Sequence, residues 1–127
     1  MSIRNQLVQI AKQDSIKVHF YRTLGNWNGQ YDPKDHSIYI SVGKRNKRDI
    51  LYTLAHELGH AYYRHGNIFY SDNIVAYNNI LLEEIDAWNY ATKLAKRFKF
   101  YTNTFIKHRN RTLGVAKIVL KEVYLDK

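Results

Sequence analysis

Apolar residues recur along this chain with two periods, and the switch between them marks out the elements. Ile3, Leu7, Ile10 and Ala11 share one helical face, which predicts a short amphipathic helix over residues 2–13 with Ser2 as its cap. Ile16-Lys17-Val18-His19-Phe20-Tyr21 then alternates, the signature of a half-buried strand with Ile16, Val18 and Phe20 turned inward. His19 falls on the other face and reads as a solvated strand residue. The stretch from Gly25 to Asp35 is turn chemistry, with room for a short strand near Gly29 to Tyr31, and His36 closes it as a turn histidine. Ser37-Ile38-Tyr39-Ile40-Ser41-Val42 is a second full strand, closed by Gly43. It reads either as an ordinary sheet strand or as an exposed edge able to pair with an extended peptide.

Helical periodicity takes over in the second half. Asn46 with Asp49 three residues later resembles a capping box, and Leu51, Leu54, Ala55, Leu58 and Tyr62 form one stripe at about 100° per residue. That helix is expected to run to Arg64 and stop at Gly66. A second helix over residues 73–98, with Asp72 as a cap, carries a stripe of Tyr77, Ile80, Ala87, Trp88, Ala91, Ala95 and Phe98. From Thr104 to Leu125 the chain is again helical and basic. Val115, Ile118, Val119 and Val123 give it an apolar side expected to pack on the core, and Gly114 is placed to break it in two. The pattern predicts an α+β fold, a short antiparallel or mixed sheet packed on helices, in a single domain over residues 1–127.

The first of these long helices carries His56-Glu57-Leu58-Gly59-His60, a His-Glu-x-x-His sequence. Residues four apart share a helix face, so His56 and His60 can direct two imidazoles at one metal ion. Both lie nearly opposite the apolar stripe, beside Thr53 and Tyr63. Glu57 sits about 100° round from His56, within reach of a water on that metal. A third ligand is expected from the next helix. Glu84 falls in the middle of its apolar stripe, where a carboxylate is costly unless it is paired or binds a metal, whereas Glu83 lies at the edge and Asp86 points outward. Two histidines and one carboxylate are the ligand set of a catalytic Zn²⁺ site. His65 lacks the spacing of a third histidine ligand, and His108 qualifies only if the C-terminal segment folds back. Tyr63 and His65 are the candidates for a donor to a developing oxyanion.

Charge and composition change this picture little. The 127 residues are 45% hydrophobic and 24% charged, as in an ordinary globular domain. The absence of cysteine excludes disulfides and thiolate metal sites, so any zinc must be held by nitrogen and oxygen, and it fits a reducing compartment. No apolar leader follows Met1 and no window approaches a membrane span, which together point to the cytoplasm. The net charge of +9 favours acidic partners, nucleic acid above all, or reflects a solvated basic surface. Part of it is the run Lys44-Arg45-Asn46-Lys47-Arg48, read as a helix start on the surface. Cations there oppose the helix dipole, which leaves room for a role in holding an acidic partner.

The run Tyr31-Asp32, Ser37-Ile38-Tyr39-Ile40, Thr53-Leu54-Ala55-His56-Glu57-Leu58-Gly59-His60 and Glu84-x-Asp86-Ala87-x-x-Tyr90-Ala91 resembles the ImmA/IrrE family of zinc metallopeptidases. The likeness spans roughly residues 29 to 95. The chain departs from the pattern with Asp86 in place of a Glu, with Trp88, and with no Met-Pro after the second helix. The resemblance implies a small zincin-like domain with His56, His60 and Glu84 as zinc ligands and Glu57 as the catalytic acid/base. It places the strand over residues 37–42 along the active cleft. The implied activity is that of a zinc-dependent endopeptidase acting on a regulatory protein such as a DNA-bound repressor of a mobile element. The rival expectation is a non-catalytic module that grips nucleic acid or a regulator through its basic face.

Overall fold

The computed structural model describes residues 1–23, 25, 27–43 and 45–126. Lys44 of the basic run and Asn26 of the turn segment lie outside the described residues. The elements follow in the order α1 (Ile3–Gln13), β1 (Lys17–Tyr21), β2 (Gly29–Asp32), β3 (Ser37–Ser41), α2 (Lys47–Tyr62), α3 (Asn73–Arg97) and α4 (Asn103–Tyr124). The architecture is α+β, with four helices and a small mixed sheet. Each helix starts where a short polar side chain can take up a free backbone N–H: Ser2 accepts from Asn5, Asn46 from Asp49, Asp72 from Ile74 and Val75, and Thr102 from Phe105.

The three strands lie in the order β1-β3-β2. β1 runs parallel to β3 with Val18 opposite Ile38, and β2 runs antiparallel with Tyr31 opposite the same Ile38. The strand over residues 37–41 is therefore the middle of the sheet, and both its edges are already paired. It cannot receive a peptide; β2, the short strand inside the turn segment, is the edge on that side. Strand order depends on pairings between distant residues, which alternation along one strand does not encode. Ile38 and Ile40 point into the core, whereas Tyr39 on the opposite face stacks on His19 with ring centres 5.1 Å apart. His19 is thus part of an aromatic ladder outside the core.

α2 is the axis of the molecule. It packs against α1, β2, β3 and α3, and residues on nearly all its sides are buried. Leu54 and Leu58 meet Ile38 and Ile40 of the sheet, Trp88, Ala91 and Ala95 of α3, and Leu7 and Ala11 of α1 in one cluster. The expected stripe is only part of that surface. Tyr52 is 2% exposed and packs against Phe100 and Phe105, whereas Tyr62 is 58% exposed and stacks on Tyr90.

α4 departs from expectation twice. It runs unbroken through Gly114, whose missing side chain leaves open space, since one glycine costs a long helix only about 1 kcal/mol. Its first half is anchored by the buried Phe105, but Val115, Ile118, Val119 and Val123 are exposed. Their apolar side does not pack on the core. Among the described residues, no helix is long and apolar enough to cross a membrane.

Candidate metal centre

The α2–α3 contact brings three donor groups to one point. His56 Nε2 and His60 Nε2 lie 3.1 Å apart. Glu84 reaches across from α3, with Oε2 2.9 Å from His56 Nε2 and Oε1 3.0 Å from His60 Nε2. Donors on one tetrahedral zinc, at bonds of about 2.0–2.1 Å, stand roughly 3.3 Å apart, so this set fits such an ion with small adjustments. The ligand atoms of His56, Glu57 and His60 lie within 4.8 Å of one another and can hold a metal ion. Glu57 is 5% exposed, with Oε2 3.5 Å from His56 Nδ1.

The electrostatics follow from this crowding. Burial on its own raises the Glu84 carboxyl, but hydrogen bonds and charge from His56 and His60 outweigh it and hold the group well below the usual carboxylate range. For His60, burial opposes the charged ring, yet the Glu84 hydrogen bond and the charge of Glu57 raise its pKa. Glu83, at the cleft edge, is raised by burial. His60 and Glu84 thus each favour the other's charged form.

Glycine decides how closely the elements approach. A Cβ at Gly59 would overlap the backbone of Ala87, so only glycine lets α2 lie against α3 closely enough for His56 and His60 to meet Glu84. A Cβ at Gly29 would stand 2.5 Å from Thr53 Cγ2 and 3.2 Å from Glu57 Cγ, so β2 runs directly over the motif helix. Arg45 fastens that layer. Its guanidinium donates to the carbonyls of Ser41 (2.7 Å) and Asn28 (3.2 Å), to the Asp49 carbonyl (3.2 Å) and to Thr53 Oγ1 (2.5 Å). Within the basic run, Arg45 is therefore not a surface charge but a half-buried clamp, and its burial lowers its pKa.

Two partners of the histidines were not readable from the motif. The His56 ring lies flat on Trp88, with centroids 4.5 Å apart and planes at 10°. Trp88 is buried, and among the described residues its Nε1 has no hydrogen-bond partner. His60 Nδ1 is 2.8 Å from His65 Nδ1. With Nε2 of His60 turned to Glu84, Nδ1–H donates and His65 accepts; burial and the neighbouring His60 push the His65 pKa down to about 4, so the acceptor is neutral. His65 thus orients His60 through Nδ1, and its own proton sits on Nε2 at the cleft that the residue lines. Tyr63 is 44% exposed, stacks on His65 and does not line the cleft.

The cleft itself has a volume of about 290 Å³. β2 supplies Gly29, Gln30 and Tyr31 on one wall together with Trp27 two residues before it, α2 supplies His56, Glu57 and His60, and Glu83 and Glu84 close the far side. β2, not β3, borders the site. The Tyr31 hydroxyl is 2.7 Å from His36 Nδ1, which gives that turn histidine a local partner. α4 does fold back, but His108 lies 3.8 Å from Asp49 and against Tyr52 and Trp88, apart from the donor cluster. Compared with known proteins, the chain matches no family model, no curated protein and no solved structure.

Proposed function

We propose that the chain is a zinc-dependent endopeptidase of the His-Glu-x-x-His type, with the zincin-like organisation that its resemblance to the ImmA/IrrE family implies. The observation that carries the reading is the convergence of His56 Nε2, His60 Nε2 and both Glu84 oxygens within 3.1 Å, beside the buried Glu57. His56, His60 and Glu84 would hold the ion. Zinc bound there supplies a more acidic water and a positive charge for the oxygen of the scissile carbonyl. Glu57 takes the proton of the attacking water and passes it to the leaving nitrogen. His65 fixes the ring of His60, and Trp88 fixes that of His56. A regulatory protein, such as a DNA-bound repressor, is the substrate class that the resemblance suggests.

The rival is a binding module on the same scaffold. A scaffold has no need of Glu57, a buried carboxylate beside the two histidines, so its presence favours catalysis. One set of measurements separates the possibilities. Wild type loaded with zinc and dialysed should retain one equivalent by elemental analysis, and Glu84→Ala should hold it at least about 100-fold more weakly. Glu57→Gln should keep the zinc and lose peptidase activity by at least about a thousandfold. A wild type that holds no zinc sinks the enzymatic reading, and a Glu57→Gln variant with undiminished biological effect leaves the module.

A further inference from the structure

Away from the cleft, two grooves adjoin on the face where α1, α2 and α4 begin. The first, of about 530 Å³, is lined by Ile3, Arg4, Val8, Phe20, Lys47 and Leu51 together with Ser2 and Asn5. The second, of about 410 Å³, shares Lys47 and Leu51 and adds Arg48, Lys99 and Thr104 among others. The rim therefore carries Arg4, Lys47, Arg48 and Lys99, all exposed, and neither groove contains an acid. Among the described residues, every ion pair to a carboxylate is made by a histidine, and none involves these four cations. Arg4, Lys47 and Arg48 also occupy first turns of helices, where a cation lowers stability. Folding alone does not account for them.

From this face we infer a second function, independent of the metal centre: it binds the phosphate backbone of double-stranded nucleic acid. The rim is donor-rich and free of carboxylates, the complement of a phosphate chain that offers only acceptors. A peptide would bring an N–H donor at every residue and meet no acidic side chain here. Single strands are disfavoured because the grooves offer no stacking surface. Tyr52 and Phe100 are buried, and the guanidinium of Arg4 covers the ring of Phe20 at 4.0 Å.

The test is fluorescence anisotropy of a labelled 25-base-pair duplex of arbitrary sequence, measured with the full chain over a range of salt. Wild type should bind in the micromolar range at low salt, with affinity falling steeply as salt rises. The double variant Lys47→Glu/Lys99→Glu should bind at least about tenfold more weakly, with a salt slope shallower by about 2. Lys117→Glu/Lys121→Glu makes the same charge change about 20 Å or more along α4 from its first turn, and should stay within about twofold of wild type. Circular dichroism confirms that each variant is folded, and Lys47→Gln/Lys99→Gln repeats the test if the first pair is not. No binding at low salt overturns the inference, as does equal weakening by both double variants, which would mean diffuse charge only. Polyglutamate binding as tightly as the duplex would reassign the face to an acidic protein.

Discussion

Trp88 carries two roles that pull in different directions. Its ring holds the imidazole of His56 flat, while its Nε1 is buried without a partner among the described residues, at a cost of about 1–3 kcal/mol. Trp88→Phe keeps an aromatic face and removes the orphan donor, so the lost volume is partly offset. We expect it to destabilise the fold by no more than about 2 kcal/mol and to leave zinc affinity within several-fold. Trp88→Ala opens a cavity beside Phe105, His108 and His56 and should cost about 3–5 kcal/mol in urea denaturation. Equal losses for the two variants would show that the indole N–H has a partner in solution. At this scale the sequence was informative where chemistry repeats at helical spacing. His56, Glu57 and His60 were legible from their offsets, and Glu84 from its place within an apolar stripe. The stack on Trp88 and the bond from His60 to His65 were not, because they depend on how side chains turn once the helices touch.

Between elements, the site depends on one close approach. α2 and α3 make the most extensive contact in the molecule, and Gly59 against Ala87 sets its depth. Alanine is the better helix former by about 1 kcal/mol, so propensity alone predicts that Gly59→Ala stabilises. The overlap with the Ala87 backbone predicts the opposite: a loss of more than about 2 kcal/mol and at least about tenfold weaker zinc binding as Glu84 is pushed from the histidines. Gly114→Ala is the matched control, since among the described residues nothing lies within 4 Å of its missing Cβ and it should gain about 0.5–1 kcal/mol. Thermal melts of the two variants decide the matter, and a stabilised Gly59→Ala would mean that the helices have slack. The same contrast explains what periodicity conveys. It marked both helices and their caps, but it cannot say which stripe finds a partner. The pattern sends the apolar side of α4 to the core, yet that side is exposed, and it leaves the strand over residues 37–42 as either an ordinary sheet strand or an edge, whereas the fold makes it central.

For the whole molecule, the crowded centre predicts how stability varies with pH once metal is stripped by a chelator. Glu84 is held below its ordinary value of 4.5, so its contribution is complete above about pH 4.5 and is lost as the pH falls through the folded value. His65, pushed from 6.5 down to about 4, acts in the same sense: complete above about pH 6.5, lost as the pH falls towards 4. His60 has the opposite sign. Its pKa is raised above 6.5, so its contribution is complete below that value and is lost as the pH climbs through the folded value. The metal-free protein should therefore be most stable near pH 6.5 and weaken on both sides. Zinc needs neutral imidazoles and an ionised carboxylate, so it takes the place of the His60 proton. Loading should raise the melting temperature most at alkaline pH, removing that limb of the curve while leaving the acid limb steep. Melting temperatures from pH 4 to 9, with zinc and with chelator, test both curves. A metal-free protein equally stable at pH 6.5 and 9 would mean that the His60–Glu84 pair does not carry its charge in solution, and the electrostatic account of the centre would fall with it.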